Sequence, residues 1–344
     1  MGGDDRPGRV TVEELDRAVQ VLRAGGLVAF PTETVYGLGA DASNPAAVRR
    51  VFAVKRRPPT HPLIVHVRSA EAIDRWAVEV PRAARLLAEA CWPGPLTMLL
   101  RRAPTVPDEV TGGRDTVGLR VPDHPLALAL LERFGGGIAA PSANRFGRVS
   151  PTTAADVVAD LGDEVDLVLD GGPCAVGVES TIVDLTSGEP EVLRPGGVSF
   201  ERLEEVLGAP VGLWLGDRDV AAPGTLPAHY APIARVEVVE DPATLPARAA
   251  ELLARGQVVA ALAPFASADL PVGVIELEPA GGPDEYARVL YARLRQADRL
   301  GAQVVLAVPP EPVGVGVAVR DRLARAAAAG QSEPPGETGG DASS

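Results

Sequence analysis

The stretch Ala209–Pro232 divides this chain in two. It holds four prolines and shows neither the 3.6-residue period of a helix nor the alternation of a strand. Before it, strand-like and helix-like segments succeed one another irregularly. After it they alternate regularly, strand then helix. A chain of 344 residues has room for two cores. The pattern therefore predicts a first domain over residues 8–208, a connector over 209–232 and a smaller domain over 233–330. The tail 331–344, rich in Gly, Pro, Ser and Glu, is expected to be disordered.

In the first block, Thr11-Val12-Glu13-Glu14 reads as a capping box opening a helix that Gly25-Gly26 ends. Leu27–Phe30 reads as a buried strand. Asn44-Pro45 starts a helix that delivers Lys55 at its C-terminal end, and Leu63–Val67 is the next strand. Further strands are expected at 96–100, 116–121, 137–140, 166–169, 181–184 and 192–193. The fold class is α/β of the mixed α+β kind, a twisted mixed sheet with flanking helices. Beyond Ile233, strands at 258–262, 272–277 and 304–308 alternate with helices at 245–254, 284–300 and 317–329. That rhythm predicts a small three-layer, Rossmann-like domain with a parallel sheet. No G-x-G-x-x-G follows its first strand, so nothing there marks a dinucleotide site.

A net charge of −13 argues against a protein coated for nucleic acid or for an anionic membrane. The charge is uneven, however. Pro31–Arg120 carries 13 Lys/Arg against 9 Asp/Glu, a local basic region that suits a small polyanion. The two cysteines, Cys91 and Cys174, have no metal-ligand spacing and read as small buried residues. Met1–Arg9 lacks an apolar signal core, and no run of 18 uninterrupted apolar residues occurs. A cytoplasmic protein with no membrane partner is expected.

Lys55 is the only lysine, beside 32 arginines. It opens the run Lys55-Arg56-Arg57-Pro58-Pro59-Thr60-His61-Pro62-Leu63-Ile64-Val65-His66. Retaining one lysine where arginine is otherwise used suggests a site that wants a compact ammonium. Two readings stand: an anion or nucleotide site, or a solvated basic loop closing a helix, where cations suit the macrodipole. Elsewhere, hydroxyls and cations recur where strands begin or end. Phe30-Pro31-Thr32-Glu33-Thr34-Val35-Tyr36-Gly37-Leu38-Gly39 leaves the first strand, with glycines that let backbone approach a ligand. Thr116–Pro122 places Arg120 near a strand end, where its fork suits a carboxylate or phosphate. Ala140-Pro141-Ser142-Ala143-Asn144 is followed by Ser150-Pro151-Thr152. Ser142 lacks a G-x-S-x-G elbow, which excludes a serine hydrolase of that kind. Gly177-Val178-Glu179-Ser180-Thr181 precedes a strand, and Leu193-Arg194-Pro195-Gly196-Gly197 ends one.

Together these stretches resemble the YrdC-like threonylcarbamoyl-AMP synthase family. The matching segments are PTETVYGLG, KRRPPTHPLIVH, WPGPLT, TVGLRVP, APSAN, SPT, GVESTIVD and LRPG, in that order over about residues 25–200. His229-Tyr230-Ala231-Pro232 and the second block resemble the longer, two-domain members. The resemblance implies condensation of L-threonine, bicarbonate and ATP into threonylcarbamoyl-AMP and pyrophosphate. Other proteins would then transfer the threonylcarbamoyl group to an adenosine beside the tRNA anticodon, so tRNA is an indirect or weak partner. It implies Thr34, His66, Arg120, Ala140 and Ser180 at L-threonine. It implies Lys55, Arg57, His61, Thr116, Ser142, Ser150, Arg194 and Tyr230 at ATP, with Lys55 and Arg57 catalytic. Mg²⁺ would accompany ATP, with no dedicated carboxylate cage. The connector departs from the longer members in being uncharged over Ala222–Ala228. The competing class is an RNA-binding module without catalysis, which the acidic charge disfavours. The related carbamoyl chemistry of hydrogenase maturation calls for cysteine clusters that two cysteines cannot supply.

Overall fold

The computed structural model describes residues 10–214, 223–224, 229–267 and 269–330, and the tail expected to be disordered lies outside them. The larger of its two sheets has ten strands. In spatial order they are Gly212–Leu213, Glu191–Arg194, Thr181–Asp184, Leu96–Arg101, Thr116–Arg120, Ile64–His66, Ile138–Ala139, Gly37–Asp41, Val28–Phe30 and Leu167–Val168. Pairing is mixed: Ile64–His66 runs parallel to Thr116–Arg120, for example, and antiparallel to Ile138–Ala139. The smaller sheet is all parallel, with strands Arg235–Val238, Val304–Ala307, Val259–Leu262 and Ile275–Glu276 in that order.

Strand alternation decides what the large sheet does with each face. Val65, Val117, Leu119 and Ala139 point into the main core. Their neighbours Ile64, His66, Arg120 and Ala140 line a cleft on the other face. Each fully buried Val or Leu contributes about 1.5–3 kcal/mol, so the core side fixes the register and the register sets out the cleft residues.

The helix Pro45–Lys55 begins where the Asn44 side chain accepts the amides of Ala46 and Ala47. It ends because Arg56 turns left-handed, with φ 54, and the amides of Arg56 and Arg57 return to Ala53 and Phe52. A non-glycine there costs about 1–2 kcal/mol. The turn buries Lys55 and aims Arg57 at the cleft.

The two sheets are docked through the helices Pro283–Arg299 and Gly316–Ala329. Arg295 donates to Asp160 at 2.9 and 2.7 Å and to the Val149 carbonyl at 2.6 Å. Gly177 has φ +81, and a Cβ there would lie 2.5 Å from the Ala287 carbonyl oxygen. The glycine of the Gly177–Thr181 segment therefore serves the domain contact.

Four local features differ from the sequence reading. Gly212–Leu213 pairs in parallel with Glu191–Val192, so part of the expected connector is sheet edge. Two residues, one of them glycine, carry no alternation to read. Gly37–Asp41 forms a further strand, paired with Val28–Phe30 and Ile138–Ala139, and a Cβ at Gly39 would lie 2.8 Å from Phe30 and Ile138 atoms. The strand expected at 272–277 shortens to Ile275–Glu276. The one-turn helix Asp108–Thr111 was not anticipated.

Candidate active site

The cleft lies over strand ends of the large sheet and is roofed by Pro223, Gly224, His229 and Tyr230. It encloses about 550 Å³ of empty space, its open mouth included.

One end is organised by Arg120, which is buried. Its Nη2 donates to Thr34 Oγ1 at 2.9 Å and lies 2.7 Å from Glu33 Oε1, while Nε donates to the Gly94 carbonyl at 3.4 Å. Strand pairing sets His66 directly across from Arg120. The His66 ring is buried, and burial with the nearby Arg120 charge pushes its pKa down to about 3. It is a neutral imidazole at physiological pH, and its Nδ1 has no hydrogen-bond partner among the described residues. Ser180 Oγ is 2.8 Å from Thr97 Oγ1. A guanidinium, a neutral imidazole and two hydroxyls thus converge where a small zwitterion would fit.

The other end is organised by Arg57 and Arg194. Arg194 donates through Nε and Nη2 to the Ser180 carbonyl at 3.2 and 2.8 Å, and through Nη1 to the Pro223 carbonyl at 2.8 Å. It therefore fastens the roof to the sheet. Arg57 donates through Nη2 to the Pro62 carbonyl at 2.9 Å, and among the described residues its Nε has no partner. Burial, ahead of the neighbouring charges, pulls the Arg57 pKa down to about 10, so it stays cationic at neutral pH. Among the described residues, Lys55, Arg57, Arg120, Arg194 and Arg322 are buried cations around this cleft, against the buried carboxylates Glu33 and Glu179. Buried charge without a partner is costly, so the surplus favours an anionic ligand. Among the described residues no group of three His, Cys, Asp or Glu side chains is placed to hold a metal ion.

Of the residues anticipated from sequence, Thr34, Arg57, His66, Arg120, Ala140, Ser142, Ser180, Arg194 and Tyr230 line this one cleft. Four others do not. Lys55 is buried beneath it, and its ammonium donates to the carbonyls of Ser142 and Asn144 instead of facing open space. Ser150 Oγ is turned to Glu179 Oε1 at 2.7 Å. His61 stands at the rim, its ring 5.5 Å from Phe146, which in turn contacts His229 at 5.8 Å. Thr116 begins the strand that Arg120 ends and pairs across from Arg101. Cys91 and Cys174 are free thiols, and burial pushes both up in pKa, Cys174 to about 12.

Glu33, Glu179 and His229 also border the site, and nothing in the sequence marks them beyond the segments that carry them. A carboxylate amid hydroxyls gives no sign of which cation it will face.

The profile of the family described as Telomere recombination, which joins the Sua5, YciO and YrdC proteins, matches residues 20–196. The profile described as "Threonylcarbamoyl-AMP synthase, C-terminal domain" matches residues 198–328. The threonylcarbamoyl-AMP synthase of Pyrococcus abyssi is 43% identical over 322 residues, covering 90% of this chain and 92% of that relative. The chain belongs to the two-domain threonylcarbamoyl-AMP synthase family. The Bacillus subtilis family member is 37% identical over 328 residues, covering 91% of this chain and 93% of its own length. The crystal structure of P. abyssi Sua5 complexed with L-threonine superposes with a TM-score of 0.87 at 41% identity, covering 93% of this chain and 96% of that one. This family therefore shares both sheets and the mixed α/β fold of the chain.

Proposed function

We propose that this protein condenses L-threonine, bicarbonate or carbon dioxide, and ATP into threonylcarbamoyl-AMP and pyrophosphate. The product would serve proteins that transfer the threonylcarbamoyl group to tRNA. One observation carries the reading. A single cleft joins a zwitterion-sized end, built on Arg120, His66, Thr34 and Ser180, to a cationic end built on Arg57 and Arg194.

The chemistry needs little more. The threonine carboxylate would take the fork of Arg120 in exchange for Glu33. The threonine amine adds carbon dioxide to give a carbamate, whose oxygen attacks the α-phosphorus as pyrophosphate leaves. Negative charge builds on the departing phosphates, and fixed, desolvated guanidinium groups stabilise it without reorganising. Holding the reactants in line supplies about 7–11 kcal/mol of the barrier. The neutral His66 accepts a hydrogen bond without adding charge near the amine. No residue becomes covalently modified.

Mg²⁺ would enter with ATP. Glu179 is the carboxylate on the cleft wall, and its oxygens already accept from Arg322, Tyr291 and Ser150. The ion would thus be held by phosphate and water, where it neutralises phosphate charge. Among the described residues no helix is long and apolar enough to cross a membrane.

The test is pyrophosphate release from ATP with bicarbonate and Mg²⁺, with and without L-threonine. Threonine-dependent release is expected. A folded protein that releases none and instead binds RNA would replace this reading with a binding module.

A further inference from the structure

We infer that Arg322 is a positioning residue for this cleft, so that its nucleotide side is complete only while the C-terminal domain is docked. The inference rests on reading the cleft as an adenylate-forming site. Arg322 lies on the helix Gly316–Ala329, and its side chain is 0% exposed. Its Nε donates to Glu179 Oε2 at 2.7 Å across the domain boundary. Its Nη2 donates to the Pro195 carbonyl at 3.0 Å, directly beside Arg194. Its Nη1 pairs with Asp321 at 2.5 Å. The guanidinium also lies 4.8 Å from the ring centroid of Tyr230 in the roof. One side chain from the second domain therefore holds a wall residue and a roof residue of a cleft whose floor belongs to the first.

The second domain supplies much of the polar and aromatic support of both held residues. Glu179 is buried and accepts additionally from Ser150 at 2.7 Å and from Tyr291, again on the second domain, at 3.1 and 2.9 Å. Tyr230 is buried at φ +62, and its hydroxyl has no hydrogen-bond partner among the described residues. It stacks on Tyr291 with centroids 5.9 Å apart. The stack and the Arg322 cation thus add second-domain contacts to a ring that shares its apolar cluster with Val35, Val149 and Val178. Undocking would take from Glu179 its Arg322 counter-charge and its Tyr291 donor, and would loosen Tyr230 over the cleft. Arg295 is the built-in comparison. It crosses the same interface to Asp160 and the Val149 carbonyl, and it does not line the cleft.

The experiment compares wild type, Arg322→Met, Arg322→Lys and Arg295→Met. KM for ATP, KM for L-threonine and kcat are measured, with hydrogen exchange at the Ala231 amide, which bonds the Gly147 carbonyl at 2.9 Å. Arg322→Met is expected to raise KM for ATP about tenfold or more, leave KM for threonine within about twofold, and speed Ala231 exchange about tenfold. Arg322→Lys, which keeps the charge and loses the fork, falls between. Arg295→Met moves neither ATP KM nor exchange comparably. Should Arg322→Met fail to fold, Arg322→Lys and the charge-free pair Glu179→Gln/Arg322→Met decide by the same readouts. An unchanged KM for ATP, a parallel rise in both KM values, or an equal effect from Arg295→Met would overturn the inference. If wild type forms no product, the functional reading fails instead, and Ala231 exchange alone judges Arg322.

Discussion

Lys55 Nζ lies 2.5 Å from the carbonyl oxygens of both Ser142 and Asn144. The chain's lone lysine therefore ties the end of one helix to the loop that carries Ser142 into the cleft. Burial, then the neighbouring Arg57 charge, pulls its pKa well below the usual lysine value. A compact ammonium can reach two converging carbonyls from inside a turn, and a planar fork of greater length cannot. Lys55→Met is expected to lower stability by about 2 kcal/mol or more, since two buried carbonyls lose their donor. Turnover should fall with it through a displaced Ser142, and Lys55→Arg should not restore it. Urea midpoints measured beside kcat check this. Lost turnover at an unchanged midpoint would make Lys55 a ligand-facing group after all.

Arg120 holds Thr34 at 2.9 Å and Glu33 at 2.7 Å. Replacing it with lysine keeps the charge and loses the bidentate fork. Arg120→Lys is expected to raise KM for threonine about tenfold or more, about 1.4 kcal/mol, with ATP binding nearly unchanged. Titration calorimetry with each substrate separately reads the split, and an ATP-side loss would contradict the assignment.

Arg194 joins the sheet to the roof through the carbonyls of Ser180 and Pro223. Arg194→Met should weaken ATP use about a hundredfold, near 3 kcal/mol, because a desolvated cation and a roof contact go together. Threonine affinity measured without nucleotide should change far less. Equal loss of both would point to a general collapse around Ser180.

Stability should fall in acid. Burial holds His66 and His229 at about 3, against an ordinary 6.5. Between those values the unfolded chain binds protons that the folded chain refuses, so stability rises with pH through that window and is fully present above about 6.5. Glu179 adds to the trend below its ordinary 4.5. Burial would raise its pKa, but Arg322, Arg194 and the Ser150 hydroxyl hold it at about 2. Denaturant midpoints between pH 4.5 and 7.5 should drop toward acid, by up to about 1.4 kcal/mol per pH unit for each histidine. His229→Asn should flatten the curve, and a level wild-type profile would count against buried neutral imidazoles.

Much of this was legible because local and tertiary signals agree. The Thr11 capping box, the Asn44-Pro45 start and the alternation around Val65 and Leu119 each state an element that packing then keeps. The cleft was legible in outline for the same reason, since hydroxyls and cations clustered at strand ends. Direction was not. Nothing local distinguishes an ammonium that faces a ligand from one that clamps two carbonyls 87 and 89 residues away. Glu179 was unreadable for a related reason. Its partners Tyr291 and Arg322 lie 112 and 143 residues along the chain, across a connector that shows no period.

The most direct measurement supplies the protein with ATP, Mg²⁺, L-threonine and carbon-13 bicarbonate and weighs the nucleotide product. A threonine-dependent adenylate carrying the labelled carbon, released with pyrophosphate, is expected. An unlabelled adenylate, or pyrophosphate release indifferent to threonine, would contradict it.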